Sequence, residues 1–375
     1  MHEQSSSSIA FTHRRWEQIK SDAARWWAGT LERPLIQVRV HGRDPGRSEP
    51  KLPNCGFTAK YGLDTPLEAI IDRWDYNLAC THFLGDAFPC VFPNFGPGVL
   101  AGYLGADVHV TDPTVWFHPR EDLPIADIRF QCSPDNPWRR HIRELSAAAA
   151  EHWQGLVQIA TTDLGGNLDI LSTFRPGEEL LLDLYDHPDE VKRLTREAHD
   201  CWWLAFDELT SAMRPPNPGF SAWTPLFSEM PYYMLQCDFC YMIGPRMFDE
   251  FVKPELEASC RKLDHAFYHL DGPGQLPHVD SLLAIPDLKG IQYVPTVEQR
   301  DGAEYPELHR KILESGKRLQ VFAGYSKRFG LDLLDVIADQ VGTARGIAFI
   351  ADVDVSQMDE ARRLLDKYGV DGGCD

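Results

Sequence analysis

His269 and Asp271, two residues apart in His269-Leu270-Asp271-Gly272, carry the clearest chemistry in the sequence. At the end of a strand, an imidazole and a carboxylate at this spacing can converge on one pocket. The pair suits zinc ligation or proton transfer. The local alternative is that His269 bonds its neighbours while Asp271 makes an Asx-turn into Gly272-Pro273. His265 does not join them, because four residues of strand span about 13 Å, too far for one metal. Asp238 ends another strand-like run and either faces the same mouth or caps the turn that follows. Gln292 lies near the end of a third run and is placed to orient a substrate by hydrogen bonding.

Other motifs are weaker. Cys237-Asp238-Phe239-Cys240 is a lone C-x-x-C, without the second pair that a zinc ribbon needs. Leu164-Gly165-Gly166-Asn167-Leu168-Asp169 follows a strand, and its glycines either offer backbone N–H groups to an anion or make a tight turn. It has neither a Walker lysine nor a G-x-G-x-x-G, which argues against nucleotide binding. Asp352 and Asp354 follow the last strand; Asp352 is a candidate metal ligand beside His269 and Asp271, although Ser356 and Asp359 also mark a helix start there. Trp223, Tyr325 and the aromatic loop around Asn94 are candidates to wall a substrate pocket.

These residues need elements to place them. Strand-like runs fall at 35–40, 157–161, 220–223, 234–238, 266–270, 290–294, 319–323 and 347–351, with helix-like runs between most of them. Helices are expected at 66–83, 188–213 and 246–263, among others. Eight strands alternating with helices predict an α/β protein, a (β/α)8 TIM-type barrel with an N-terminal helical elaboration reaching to about residue 150. In such folds chemistry gathers at the C-terminal ends of the strands, where His269, Asp271 and Asp238 lie. Residues 1–10 read as a disordered tail and 11–375 as one domain.

The chain carries a formal net charge of −19, which argues against a nucleic-acid partner. No apolar run approaches the roughly 20 residues that span a bilayer, and the start lacks the features of a secretory signal. Nine cysteines, scattered and odd in number, fit a reducing cytoplasm better than a disulfide framework.

The segment Cys237-Asp238-Phe239-Cys240 through Phe248, Phe251 and Pro254 resembles a strand-to-helix segment of the uroporphyrinogen decarboxylase superfamily, which includes cobalamin-linked methyltransferases. His269-Leu270-Asp271-Gly272 is similar to the His-x-Cys-Gly of its zinc methyltransferases. Gly165-Gly166 with Leu184 to Val191, and Gly96 to Ala101 with Leu104-Gly105, add to the likeness. The resemblance covers most of the chain and implies the barrel, a methyltransferase acting on a small substrate, zinc, a corrinoid carried on a separate protein, and a homodimer. No corrinoid-binding Asp-x-His-x-x-Gly segment is seen in this chain. Asp271 stands where those enzymes carry Cys, so either the ligand set has changed or His269 and Asp271 do acid–base work or bind a cationic substrate. Arg39 and Arg43 partly echo the carboxylate-gripping arginines of the decarboxylase, which makes decarboxylation the alternative activity. A non-catalytic barrel that binds a small ligand is the second alternative.

Overall fold

Trp16, Ile19, Ala23 and Trp26 recur every three or four residues and form the buried stripe of the first helix, α1 (His13–Ala28). Gly29 ends it at φ 76°, a left-handed cap that glycine adopts without strain. The computed structural model describes residues 9–295 and 301–372. The expected tail lies outside the described residues up to residue 8. Ile9 is already buried and Ala10 bridges to His82, so these two belong to the folded part.

The strands are β1 (Leu35–His41), β2 (Thr81–Gly85), β3 (Cys90–Val91), β4 (Asp107–Val110), β5 (Val115–His118), β6 (Gln158–Ile159), β7 (Tyr232–Leu235), β8 (His265–Asp271), β9 (Leu288–Val294), β10 (Arg318–Phe322) and β11 (Ile347–Asp354). After α1 come α2 (Leu67–Ala79), α3 (Leu100–Tyr103), α4 (Pro137–Trp153), α5 (Asn167–Phe174), α6 (Glu179–Asp186) and α7 (Pro188–Met213). The last helices are α8 (Pro245–Phe251), α9 (Lys253–Lys262), α10 (Val279–Leu283), α11 (Pro306–Glu314), α12 (Leu333–Val341) and α13 (Met358–Lys367).

Seven strands form one sheet in the order β2-β1-β11-β10-β9-β8-β7, parallel except for the β1–β2 pair. The fold is therefore mixed α/β with a mostly parallel central sheet. Register decides what each face carries, because parallel partners share a face. Gln37 pairs with Ile350, Arg39 with Asp352, Gln320 with both Ala348 and Gln292, and Gln292 with His269. Polar residues thus gather on one face. The alternate residues Ile36, Val38, Val40, Ile291 and Phe349 are buried and apolar, as a face lying under helices requires.

Two expected strands come out differently. The run at 157–161 contracts to β6, which pairs with β3 and not with the main sheet. The run at 220–223 is only an antiparallel bridge from Phe220 to Ser228. Asn217 explains both. Its Oδ1 accepts from Ile159 N–H (2.8 Å) and its Nδ2 donates to Ile159 O (3.0 Å), so a side-chain amide takes the place of a neighbouring strand. Thr161 N–H still donates to Ser221 O at 2.9 Å. The helix expected over 66–83 stops at Ala79, and Thr81–Gly85 runs antiparallel to β1 as an edge strand. The helix expected over 246–263 breaks into α8 and α9 near Pro254, which cannot donate into a continuous helix.

The C-terminal end of α1 packs against the starts of β8 and β10. Trp27 stacks on His265 (4.2 Å, 10°) and Trp26 on Phe267 (6.3 Å, 24°). Arg33 grips buried Asp86 with two bonds of 2.7 and 2.9 Å and also reaches Asp22, tying α1 to the segment after β2. Among the described residues no helix is long and apolar enough to cross a membrane.

Candidate metal centre

The polar face ends in a cluster at the C-terminal edge of β7 and β8. Asp238 opens the 3-10 turn after β7, while His269 and Asp271 are alternate residues at the end of β8. One ligand atom from each lies within 4.8 Å of the others. The convergence expected of His269 and Asp271 is therefore realised, with Asp238 as its third member.

His269 is held by its neighbours on two sides. Gln292 Nε2 donates to Tyr325 Oη at 3.1 Å, so Gln292 Oε1 accepts from His269 Nδ1–H. That bond selects the tautomer whose Nε2 keeps its lone pair. Trp223 meets the imidazole edge-on at 5.8 Å. Gln292 and Trp223 thus contact His269 directly, and Tyr325 reaches it through Gln292.

Two further carboxylates complete the cluster. Asp169, on α5, accepts from Asp238 N–H (3.0 Å) and Phe239 N–H (2.7 Å), fixing the turn that carries Asp238. Asp163 follows β6 and accepts from Gly165 N–H (2.8 Å) and Gln236 Nε2 (3.1 Å). Desolvation by the surrounding loops pushes Asp238, whose side chain still reaches the surface, up to about 7, aided by the nearby charges of Asp271 and Asp163. Burial and the Asp238 charge raise Asp169 to about 8. Burial raises Asp163 to about 6, with the Gly165 and Gln236 bonds and His269 opposing it. Carboxyls crowded in this way repel one another, and a cation between them removes the conflict.

The glycines of Leu164 to Asp169 serve close packing. A Cβ on Gly166 would sit 2.2 Å from Gln236 O, and one on Gly165 would sit 2.7 Å from Gly98 Cα. Only glycine lets this turn pass so near both the exit of β7 and the loop before α3. Asp163 and Asp169 did not stand out in the sequence as site residues. The strand-end rule that selects Asp238 also applies to Asp163, two residues beyond the run at 157–161.

Other candidates lie elsewhere. Asp352 is not part of the triad; it is ion-paired with Arg39 and bonded to His41 Nε2 at 2.9 Å. Those bonds hold its carboxyl below the ordinary range against the desolvation that opposes them. Its in-register partner on β1 pairs with its charge, and Asp352 is not among the three residues whose ligand atoms converge. Arg39 retains a buried Nε with no partner among the described residues. Asn94 shapes its own loop, with Nδ2 donating to Gly56 O (2.9 Å) and Oδ1 accepting from Gly96 N–H (3.2 Å). Those two bonds use one of its two N–H groups and one of its two acceptor positions, so the amide orders the loop and keeps one donor and one acceptor over. Cys237 and Cys240 are buried as free thiols behind Asp238.

A solved structure, a methyltransferase from Methanosarcina mazei, matches this fold with a TM-score of 0.55 at 12% identity, over 86% of this chain and 95% of that one. At that identity the likeness concerns the fold. No protein-family model and no curated protein matches the chain.

Proposed function

We propose that this chain is a methyltransferase that moves a methyl group between a small methylated substrate and a corrinoid protein or thiol acceptor, with zinc held by His269, Asp271 and Asp238. The observation that carries this reading is the convergence of three ligand atoms within 4.8 Å at the strand ends. The fold shared with a methyltransferase supports it. One imidazole nitrogen and two carboxylates are donors that zinc accepts, and an open fourth position is usual for catalytic zinc. Bound there, zinc would act as a Lewis acid and lower the pKa of a thiol or water.

The remaining roles belong to the chain itself. Gln292 fixes the His269 ring. Asp169 fixes the Asp238 turn, and Trp223 and Tyr325 wall the space beside the imidazole. Arg39, with Asp352 and His41, forms a second polar group at the ends of β1 and β11 for the distal part of the substrate. We read the sheet as a (β/α)8 barrel completed through β3, β6 and the 220–224 segment, supported by the Thr161–Ser221 bond. The corrinoid would arrive on a separate protein, and a homodimer is the expected assembly. Decarboxylation through Arg39 and Arg43 is the weaker reading, because Arg39 is already neutralised by Asp352 and Arg43 Nη1 donates to Ala79 O.

The test is metal content by plasma mass spectrometry on wild type and His269→Ala prepared in parallel. We expect near-stoichiometric zinc in the wild type and its loss in the variant. Absence of zinc from both proteins, or equal zinc in both, overturns the proposal.

A further inference from the structure

A second concave site lies at the opposite end of the sheet, where β10 and β11 begin and the C-terminus of α1 ends. Its cavity measures about 220 Å³, and its lining includes Lys317, Arg318, Thr343 and Arg345 but no Asp or Glu. Such a lining stands out in a chain with a net charge of −19.

The donors there exceed their partners. Arg318 donates from Nε to Trp26 O (2.9 Å), from Nη1 to Gly316 O (3.2 Å) and from Nη2 to Trp27 O (3.3 Å). The bonds to Trp26 and Trp27 cap the end of α1, and the three together leave two of its five N–H groups over. Lys317 Nζ donates to Ile285 O (2.8 Å) and Leu288 O (2.7 Å), leaving a third proton. Thr343 Oγ1 accepts from Arg345 N–H at 3.0 Å, so its own hydroxyl proton is not used in that bond. Arg345 meets Glu32 at 2.9 Å on the exposed rim. Neither Lys317 nor Arg318 has a carboxylate partner among the described residues. Burial lowers the pKa of both; for Arg318 no nearby charge opposes it, while for Lys317 Asp287 opposes it in part.

Carbonyl caps satisfy hydrogen bonds but leave the Arg318 guanidinium without a compensating charge. We infer that this pocket binds a small phosphoryl anion, as free phosphate or as the head of a small phosphate ester, between Arg318, Arg345 and the Thr343 hydroxyl. Planar guanidinium groups suit phosphate oxygens in geometry as well as charge. The cavity lies below the ~300–1,000 Å³ of pockets for drug-sized ligands, so a nucleotide is too large. This site is independent of the metal centre.

The test is calorimetric titration of the full chain with inorganic phosphate and, separately, with glycerol phosphate, at matched ionic strength against chloride. We expect saturable binding of at least one. Tighter binding of the ester identifies the ester class, and equal or tighter binding of phosphate identifies the free ion. Arg318→Gln removes the α1 cap and so tests stability as well as binding. The decisive variant is therefore Thr343→Val with Arg345→Gln at the rim, which we expect to weaken binding at least tenfold. No saturable binding of either anion, or unchanged affinity in the double variant, overturns the inference.

Discussion

Gln292 decides which nitrogen of His269 faces the carboxylates. Its amide is oriented by Tyr325, and its oxygen then holds His269 Nδ1–H. Partners of this kind typically set metal affinity by ten- to a hundredfold. Gln292→Ala should therefore weaken zinc binding by that range, while Gln292→Glu, which keeps an acceptor, should retain most of it. Competition with a chromophoric chelator measures both; an alanine variant that binds zinc like wild type would remove the orienting role. The same residues show what could be read from sequence. His269, Asp271 and Asp238 were visible because each ends a strand-like run. Asp352 ends a run too, yet its fate depends on which strand lies beside β11. Only the register with β1 reveals that Arg39 and His41 take its charge. A partner 313 residues away in the chain cannot be read from local pattern.

The joint between α1 and the sheet depends on a residue that contributes no side chain. Gly290 of β9 lies beneath the Phe267 ring, and a Cβ there would fall 2.1 Å from the ring and 2.7 Å from Arg318 O. The ring cannot retreat easily, because Trp26 and Trp27 both pack on it. Gly290→Ala should cost about 1–3 kcal/mol through overpacking. Urea denaturation checks this, and a loss under about 0.5 kcal/mol would show that the aromatic joint yields. At this scale the sequence was most informative where periodicity was long. The helix expected over 188–213 is the 26-residue α7, residue for residue. It was least informative where side chains stand in for backbone. Asn217 bonds Ile159 as a strand would, which no alternation of apolar residues announces. Pro254 did carry a signal, but an apolar stripe continuing past it masks the break between α8 and α9.

Across the whole molecule, pH acts on two opposed populations of desolvated groups. Asp163, Asp169 and Asp238 sit at about 6, 8 and 7, so without a cation their burial favours the protonated form. Their contribution is full in acid and is lost as pH rises through those values. Acid also relieves the self-repulsion of a chain at −19. Both effects favour the folded state at low pH, so acid sensitivity must come from other groups. Carboxyls held below their ordinary range by ion pairs and hydrogen bonds, such as Asp352 and Glu208, supply part of it, and buried histidines supply another part. His309 on α11 is 3% exposed, its Nδ1 has no partner among the described residues, and burial lowers its pKa to about 4. Burial also takes His265 to about 4, beneath Trp27. A folded pKa below the unfolded value of about 6.5 means that the unfolded chain takes up the proton first. The stability from each histidine is therefore present above about pH 6.5 and is lost as pH falls toward 4. For His309 the loss by pH 4.5 is roughly 2–3 kcal/mol. His309→Gln should therefore flatten the fall in unfolding free energy between pH 7 and 4.5 by about that amount, whatever constant offset the new side chain brings. Urea titrations at several pH values give both profiles. Parallel profiles for variant and wild type would mean that His309 keeps the same proton in both states, and the source of acid sensitivity would lie with His265 and the depressed carboxyls such as Asp352 and Glu208.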